Sequence, residues 1–135
     1  MFNVNYGNTV SDETRTRISK LLEGEDDILY TGISEDVILE MMNLSGEKVL
    51  NITTGNTIDE AVRCLPDNGN ELISEAAVLI KANTDYHFSV TDLVNLIRYF
   101  DTYPMDPKIT WSYTVDSDQE DPINIIIFKI LHNKQ

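Results

Sequence analysis

Ile123-Asn124-Ile125-Ile126-Ile127-Phe128-Lys129-Ile130-Leu131 is the stretch on which the fold turns. It has the length and the β-branched, aromatic composition of a strand. Successive strand side chains point to opposite faces. Ile123, Ile125 and Ile127 therefore share one face, and Ile126, Phe128 and Ile130 share the other. Both faces are apolar, so both need cover. A sheet with helices on one side alone would show polar residues on its second face.

Upstream lies the acidic segment Asp116-Ser117-Asp118-Gln119-Glu120-Asp121-Pro122, which reads as a turn. Before it, Ile109-Thr110-Trp111-Ser112-Tyr113-Thr114-Val115 alternates large and small residues, as a half-buried strand does. The two strands are expected to form an antiparallel hairpin. The longest helix precedes them, opened by the capping start Ser89-Val90-Thr91-Asp92. Val90, Leu93, Val94, Ile97 and Phe100 fall on one face and are expected to be its core stripe. Tyr103-Pro104 breaks it.

Further back, Ala76–Ala82 is an apolar run of strand length. Thr57-Ile58-Asp59-Glu60 is a capping box that opens a helix burying Ile58, Ala61, Val62 and Leu65. Pro66 and Asp67-Asn68-Gly69-Asn70 end that helix. Lys48–Thr54 reads as a strand closed by Gly55. Near the N-terminus a helix is expected over Ser11–Glu23, with Ser11 as N-cap and Asp12 and Glu13 at the positive end of its dipole. A second is expected over Ser34–Asn43, with Val37, Ile38, Met41 and Met42 on one face. Asp27–Tyr30 between them reads as a short strand or an extended connection.

The predicted fold class is α/β, an α+β two-layer sandwich. A four-stranded mixed sheet in the order β-α-β-α-β-β carries helices packed on one face, with two extra N-terminal helices. Strand–helix–strand steps favour parallel pairing with right-handed crossovers. The chain reads as a single domain over 1–135, with an N-terminal helical extension at 1–46 and the α/β core at 47–132. The spare apolar face of the last strand has two candidate covers. One is the N-terminal segment, through Ile18, Leu21, Leu22 and the Met41–Met42 helix. The other is a second subunit or a protein partner, for which Ile123, Ile125 and Ile127 are the candidate interaction surface.

The chain has 135 residues, one domain's worth. It carries 23 acidic and 10 basic residues, net −13, spread along its length. Such a surface repels nucleic acid and anionic lipid, so neither is an expected partner. It suits a basic partner or a cation, or serves solubility. One cysteine, Cys64, cannot form an internal disulfide. Met1–Tyr6 lacks the basic start and apolar core of a secretion signal, and no apolar run approaches the ~18–20 residues of a membrane span. The expected location is the cytoplasm.

Chemistry-bearing residues are sparse. His87 and His132 lie on separate elements, and with one cysteine they give no zinc spacing. Cys64 beside Leu65 reads as a buried structural thiol. In Asp116–Asp121 oxygen ligands alternate as in a calcium loop, but Asp121 stands where glycine is needed and no bidentate glutamate follows. Trp111 and Tyr113 share a strand face on which bases stack in RNA-binding sheets, but no basic patch accompanies them, so they read as core. No catalytic, cofactor or metal residue is assigned.

From Asp36 to Leu131 the order of elements resembles the C-terminal domain of FtsZ, the bacterial tubulin relative. The resemblance is carried by Asp36-Val37, by Glu47–Gly55 and by Ile58-Asp59-Glu60-Ala61-Val62-Arg63. It continues through Ala77–Asn83, Phe88–Leu93, Pro107–Asp116 and Ile123–Ile127. It implies the fold and a habit of association. It does not imply GTP binding or hydrolysis. The six glycines, at 7, 24, 32, 46, 55 and 69, build no phosphate loop. Tyr30-Thr31-Gly32-Ile33-Ser34-Glu35 lacks the acidic spacing of the family's catalytic loop. The expectation is a non-catalytic interaction or oligomerisation domain whose partner is itself or a filament protein. The alternative is a small-molecule sensor or enzyme with a cleft between subunits.

Overall fold

The computed structural model describes residues 2–23, 27–31, 35–65, 72–101, 107–116 and 118–131. Its elements run β1 (Phe2–Asn5), α1 (Asp12–Glu23), β2 (Asp27–Thr31), α2 (Glu35–Met42) and β3 (Lys48–Gly55). They continue with α3 (Ile58–Arg63), β4 (Ile73–Ala82), α4 (Val90–Asp101), β5 (Lys108–Val115) and β6 (Ile123–Leu131). The strands form one mixed sheet in the order β1-β3-β6-β4-β5-β2.

The doubly apolar β6 takes an interior place. It pairs antiparallel with β3, from Lys48↔Ile130 to Gly55↔Ile123. On its other side it pairs antiparallel with β4. Beyond that, β4 pairs parallel with β5. Ile58 and Ala61 of α3 and Leu65 just past its C-cap, with Leu96 and Phe100 of α4, pack on one face over Val78, Ile80, Ile123, Ile125 and Ile127. Val10, Ile18, Ile38, Met41 and Met42 pack on the other face over Leu50, Leu79, Ile126, Phe128 and Ile130. The protein is thus mixed α/β with helices on both faces, three layers where two were expected. Each buried isoleucine or phenylalanine contributes roughly 1.5–3 kcal/mol of transfer free energy, which explains why neither face of β6 is left open.

This overturns the candidate interaction surface. Ile123, Ile125 and Ile127 are 0%, 0% and 1% exposed beneath α3 and α4. The opposite face of β6 is closed by the chain itself, through Ile18, Met41 and Met42. The side chains of Leu21 and Leu22 lie outside the described residues.

The sheet also has more than four strands, because the N-terminal segment supplies both edges. β1 pairs antiparallel with β3, and β2 pairs antiparallel with β5. Past its last ladder pair β1 stays attached: Tyr6 N donates to Lys48 O (2.8 Å), and Lys48 N donates to Gly7 O (2.9 Å). Asn51 Nδ2 adds a side-chain bond to Asn3 Oδ1 (2.6 Å). The segment at 1–46 is therefore woven into the sheet rather than appended to it.

The expected β5–β6 hairpin does not form. β4 lies between the two strands, parallel to β5 and antiparallel to β6. The acidic segment 116–122 crosses the end of β4 and is bonded to it. Asp116 N donates to Ala82 O (2.8 Å), and Asn83 N donates to Pro122 O (3.0 Å). Gln119 Nε2 donates to Lys81 O (2.9 Å) and to Asp121 O (2.7 Å). A two-residue turn would force neighbouring strands together; seven residues are enough to step over one.

Local signals at the helix starts hold. Ser11 Oγ accepts from Thr14 N (3.2 Å), capping α1. Thr57 Oγ1 accepts from Glu60 N (3.1 Å), while Glu60 Oε2 accepts from Asn56 N (2.7 Å), so the box closes one residue before the cap. Gly46 joins α2 to β3 at φ +126°, and a Cβ there would strike the Leu131 carbonyl oxygen. Lys48 follows, 1% exposed, with Nζ donating to the carbonyls of Asn8 (2.6 Å), Leu44 (2.6 Å) and Gly46 (2.9 Å). One ammonium thus ties the β1–α1 loop, the end of α2 and the turn into β3. Burial, and secondarily the charge of Arg15, lower its pKa.

Candidate functional site

Phase decides what α4 presents. Its buried residues are Asp92, Leu96 and Phe100, one residue every turn. The stripe expected to be core is turned outward instead: Val90 is 78% exposed, Leu93 42%, Val94 38% and Ile97 45%. Of that stripe only Phe100 is buried. Leu96 anchors the helix in its place. The helix is apolar around most of its circumference, and one sheet cannot cover all of it.

Between the outer side of α4 and the floor of β4 and β5 lies an apolar cavity of about 500 Å³. Leu93, Leu96 and Ile97 form its helical wall, and Ile80, Trp111 and Tyr113 its floor. The register explains the floor: Val78 lies beside Trp111 and Ile80 beside Tyr113, so all four side chains share the face of α3 and α4. Phe88, 40% exposed, closes one end, packed edge-on against Tyr113 with centroids 5.0 Å apart. Trp111 is held from behind by Phe100, at 5.4 Å and 86°. Trp111 and Tyr113 do pack toward the long helix, as expected, but they are only half-buried and double as the groove floor.

The N-terminus of α4 is held rigidly. Asp92 Oδ2 accepts from Ser89 N (3.0 Å), and Ser89 Oγ accepts from Asp92 N (3.2 Å), a reciprocal cap. The Tyr86 hydroxyl donates to Asp92 Oδ2 (2.7 Å) and accepts from Ile58 N (3.2 Å). One phenol thus joins the starts of α3 and α4. Burial chiefly, with the neighbouring Asp92 carboxylate, pushes the Tyr86 pKa up to about 12. Burial and the same carboxylate also raise that of Tyr113.

The groove wall is almost wholly carbon. Its side-chain polar groups are the Trp111 indole N–H and the Tyr113 hydroxyl; Ser112, between them on β5, lines the groove by its backbone and turns its side chain to the other face. Among the described residues no cluster of histidine, cysteine or carboxylates is arranged to hold a metal. Cys64 is exposed at the C-cap of α3, not buried as expected, because the six-residue helix ends there and turns the thiol outward. His87 is exposed in the loop before α4, and His132 lies outside the described residues. No helix among the described residues is long and apolar enough to cross a membrane. Phe88 and the outer stripe of α4 are the residues that sequence reasoning missed as surface. The signal was an apolar count on α4 too large for one face, Leu96 included.

No protein-family model matches the sequence, and no curated protein matches it. Solved structures do. The chain superposes on an FtsZ dimer from M. jannaschii with a TM-score of 0.58 at 16% identity, covering 78% of this chain and 32% of that one. A W319Y mutant of FtsZ from M. jannaschii gives a TM-score of 0.58 at 13% identity, covering 89% and 39%. The chain spans about a third of the FtsZ chains it matches. At this identity the likeness is one of fold, and it agrees with the FtsZ C-terminal type of fold that the element order implied.

Proposed function

We propose that this chain is a non-catalytic protein-association domain, and that its working surface is the groove between α4 and β5. The carrying observation is the grouping of exposed apolar residues. Phe88, Val90, Leu93, Val94 and Ile97 are five large hydrophobics within ten residues, continuous with the Trp111–Tyr113 floor. A contiguous apolar patch fringed by polar residues is the usual mark of an interaction surface. Aromatic anchors in a pocket are its usual energetic centre. The fold likeness to FtsZ supports the reading, because the matched structures include one described as a dimer. GTP chemistry forms no part of the proposal.

The test is photo-crosslinking in the native cell. A benzophenone amino acid at Ile97 is expected to capture a protein, and the same group at Thr16, exposed on α1, is expected to capture none. Equal or absent capture at the two positions would oppose the reading. A second reading is favoured by the cavity itself, since about 500 Å³ lies within the size range of small-ligand pockets. An apolar small molecule copurifying with the protein, seen by native mass spectrometry and lost in Leu93→Glu, would favour that reading instead.

A further inference from the structure

Resting on the association reading, we infer that the groove's occupant is a basic amphipathic helix of another polypeptide segment, which docks beside α4 as a third member of its helical layer. Packed helices lie ~8–10 Å apart and strands ~4.8 Å apart, so two helices roof about four strands. This sheet has six strands, and on this face only α3 and α4 cover it among the described residues. Among the described residues no element covers the shoulder beyond α4, over β5 and its neighbour β2, and one more helix fits its width. Val90, Leu93, Val94 and Ile97 repeat at i, i+3, i+4 and i+7, the ridge that packs against another helix. A strand or an irregular peptide would not mesh with that ridge.

Charge selects the partner. A second copy would bring −13 against −13, and like charge opposes such an encounter. Asp85 and Asp101 are exposed just before and at the end of α4, with Arg98 the one exposed cation among the described residues of that helix. A helix carrying lysine or arginine along the flanks of its apolar stripe meets the net field favourably, gaining in association rate and in discrimination. The mode is helix-in-groove recognition.

The only tryptophan, Trp111, lies in the groove floor and reports occupancy directly. The probes are three synthetic peptides of about 18 residues, some five helical turns. One places Leu at i, i+3, i+4 and i+7 with Lys elsewhere, the second replaces Lys by Glu, and the third scrambles the Leu/Lys sequence so that no stripe remains. The first is expected to shift Trp111 emission to the blue saturably, with affinity at least about tenfold above the other two, and to lose that shift with Val94→Glu/Ile97→Glu. Equal binding of the scrambled peptide would overturn the helical claim, equal binding of the Leu/Glu peptide the basic one, and silence of all three both. Capture from Ile97 in cells together with such silence would leave the association reading standing and sink this one. A dimer of this chain that buries Trp111 would also overturn it.

Discussion

The Tyr86 hydroxyl donates to Asp92 Oδ2 at 2.7 Å while accepting the Ile58 N–H at 3.2 Å, so one phenol fastens the two helices that roof the groove side of the sheet. The proton it holds is part of the fold. Its pKa rises from 10.0 to about 12, chiefly through burial. Between those values the folded chain binds more protons than the unfolded one. The stabilisation is therefore complete below pH 10 and is lost as pH climbs toward 12. Urea unfolding at stepped pH should show this loss, and Tyr86→Phe should flatten it while costing about 1–2 kcal/mol at pH 7. An unchanged alkaline slope in the phenylalanine variant would contradict the assignment.

Lys48 gives the opposite slope. Its pKa is lowered by burial, so over the interval below 10.5 the unfolded chain binds the extra proton and stability rises with pH. Lys48→Met should lose about 2–4 kcal/mol near neutrality, because the carbonyls of Asn8, Leu44 and Gly46 lose their donor. The deficit relative to the wild type should widen toward pH 10. A variant as stable as the wild type would mean that water replaces the ammonium without penalty.

Gln119 fastens the crossover above β4 by two bonds from one amide nitrogen. Gln119→Ala should cost about 1–2 kcal/mol and raise hydrogen exchange of the Asp116 and Asn83 amides before that of the β6 core. Uniform exchange changes across the sheet would argue that the loop carries no local stability of its own.

These side chains also show where the sequence was legible. Caps are local, and Ser11, Thr57 and Ser89 could be read from three or four neighbours. The order of elements from Lys48 onward was legible because each carries its own period. Sheet neighbours were not, because pairing is set at long range. Nothing in Asp116–Pro122 distinguishes a turn from a step across β4 until Ala82 and Asn83 are known to lie beneath it. β1 escaped notice because four residues hold their place mainly by backbone bonds. The groove was hidden for a related reason. The apolar count of α4 was visible, but which side of it meets the sheet depends on Leu96 and Phe100 packing with Trp111 and with Ile123, Ile125 and Ile127 of β6, tertiary contacts that no local period specifies.

The groove account predicts a separation of stability from binding. Val94 and Ile97 face water in this chain, so Val94→Glu/Ile97→Glu should shift unfolding free energy by no more than about 0.5–1 kcal/mol. Were the stripe core, as its periodicity suggested, two buried glutamates would prevent folding.

The most direct test is a titration calorimetry comparison of wild type and Val94→Glu/Ile97→Glu against the protein captured from Ile97. The account predicts wild-type binding and a loss of about 100-fold or more in the variant, with an unchanged melting temperature. Equal affinity of the two proteins would contradict it.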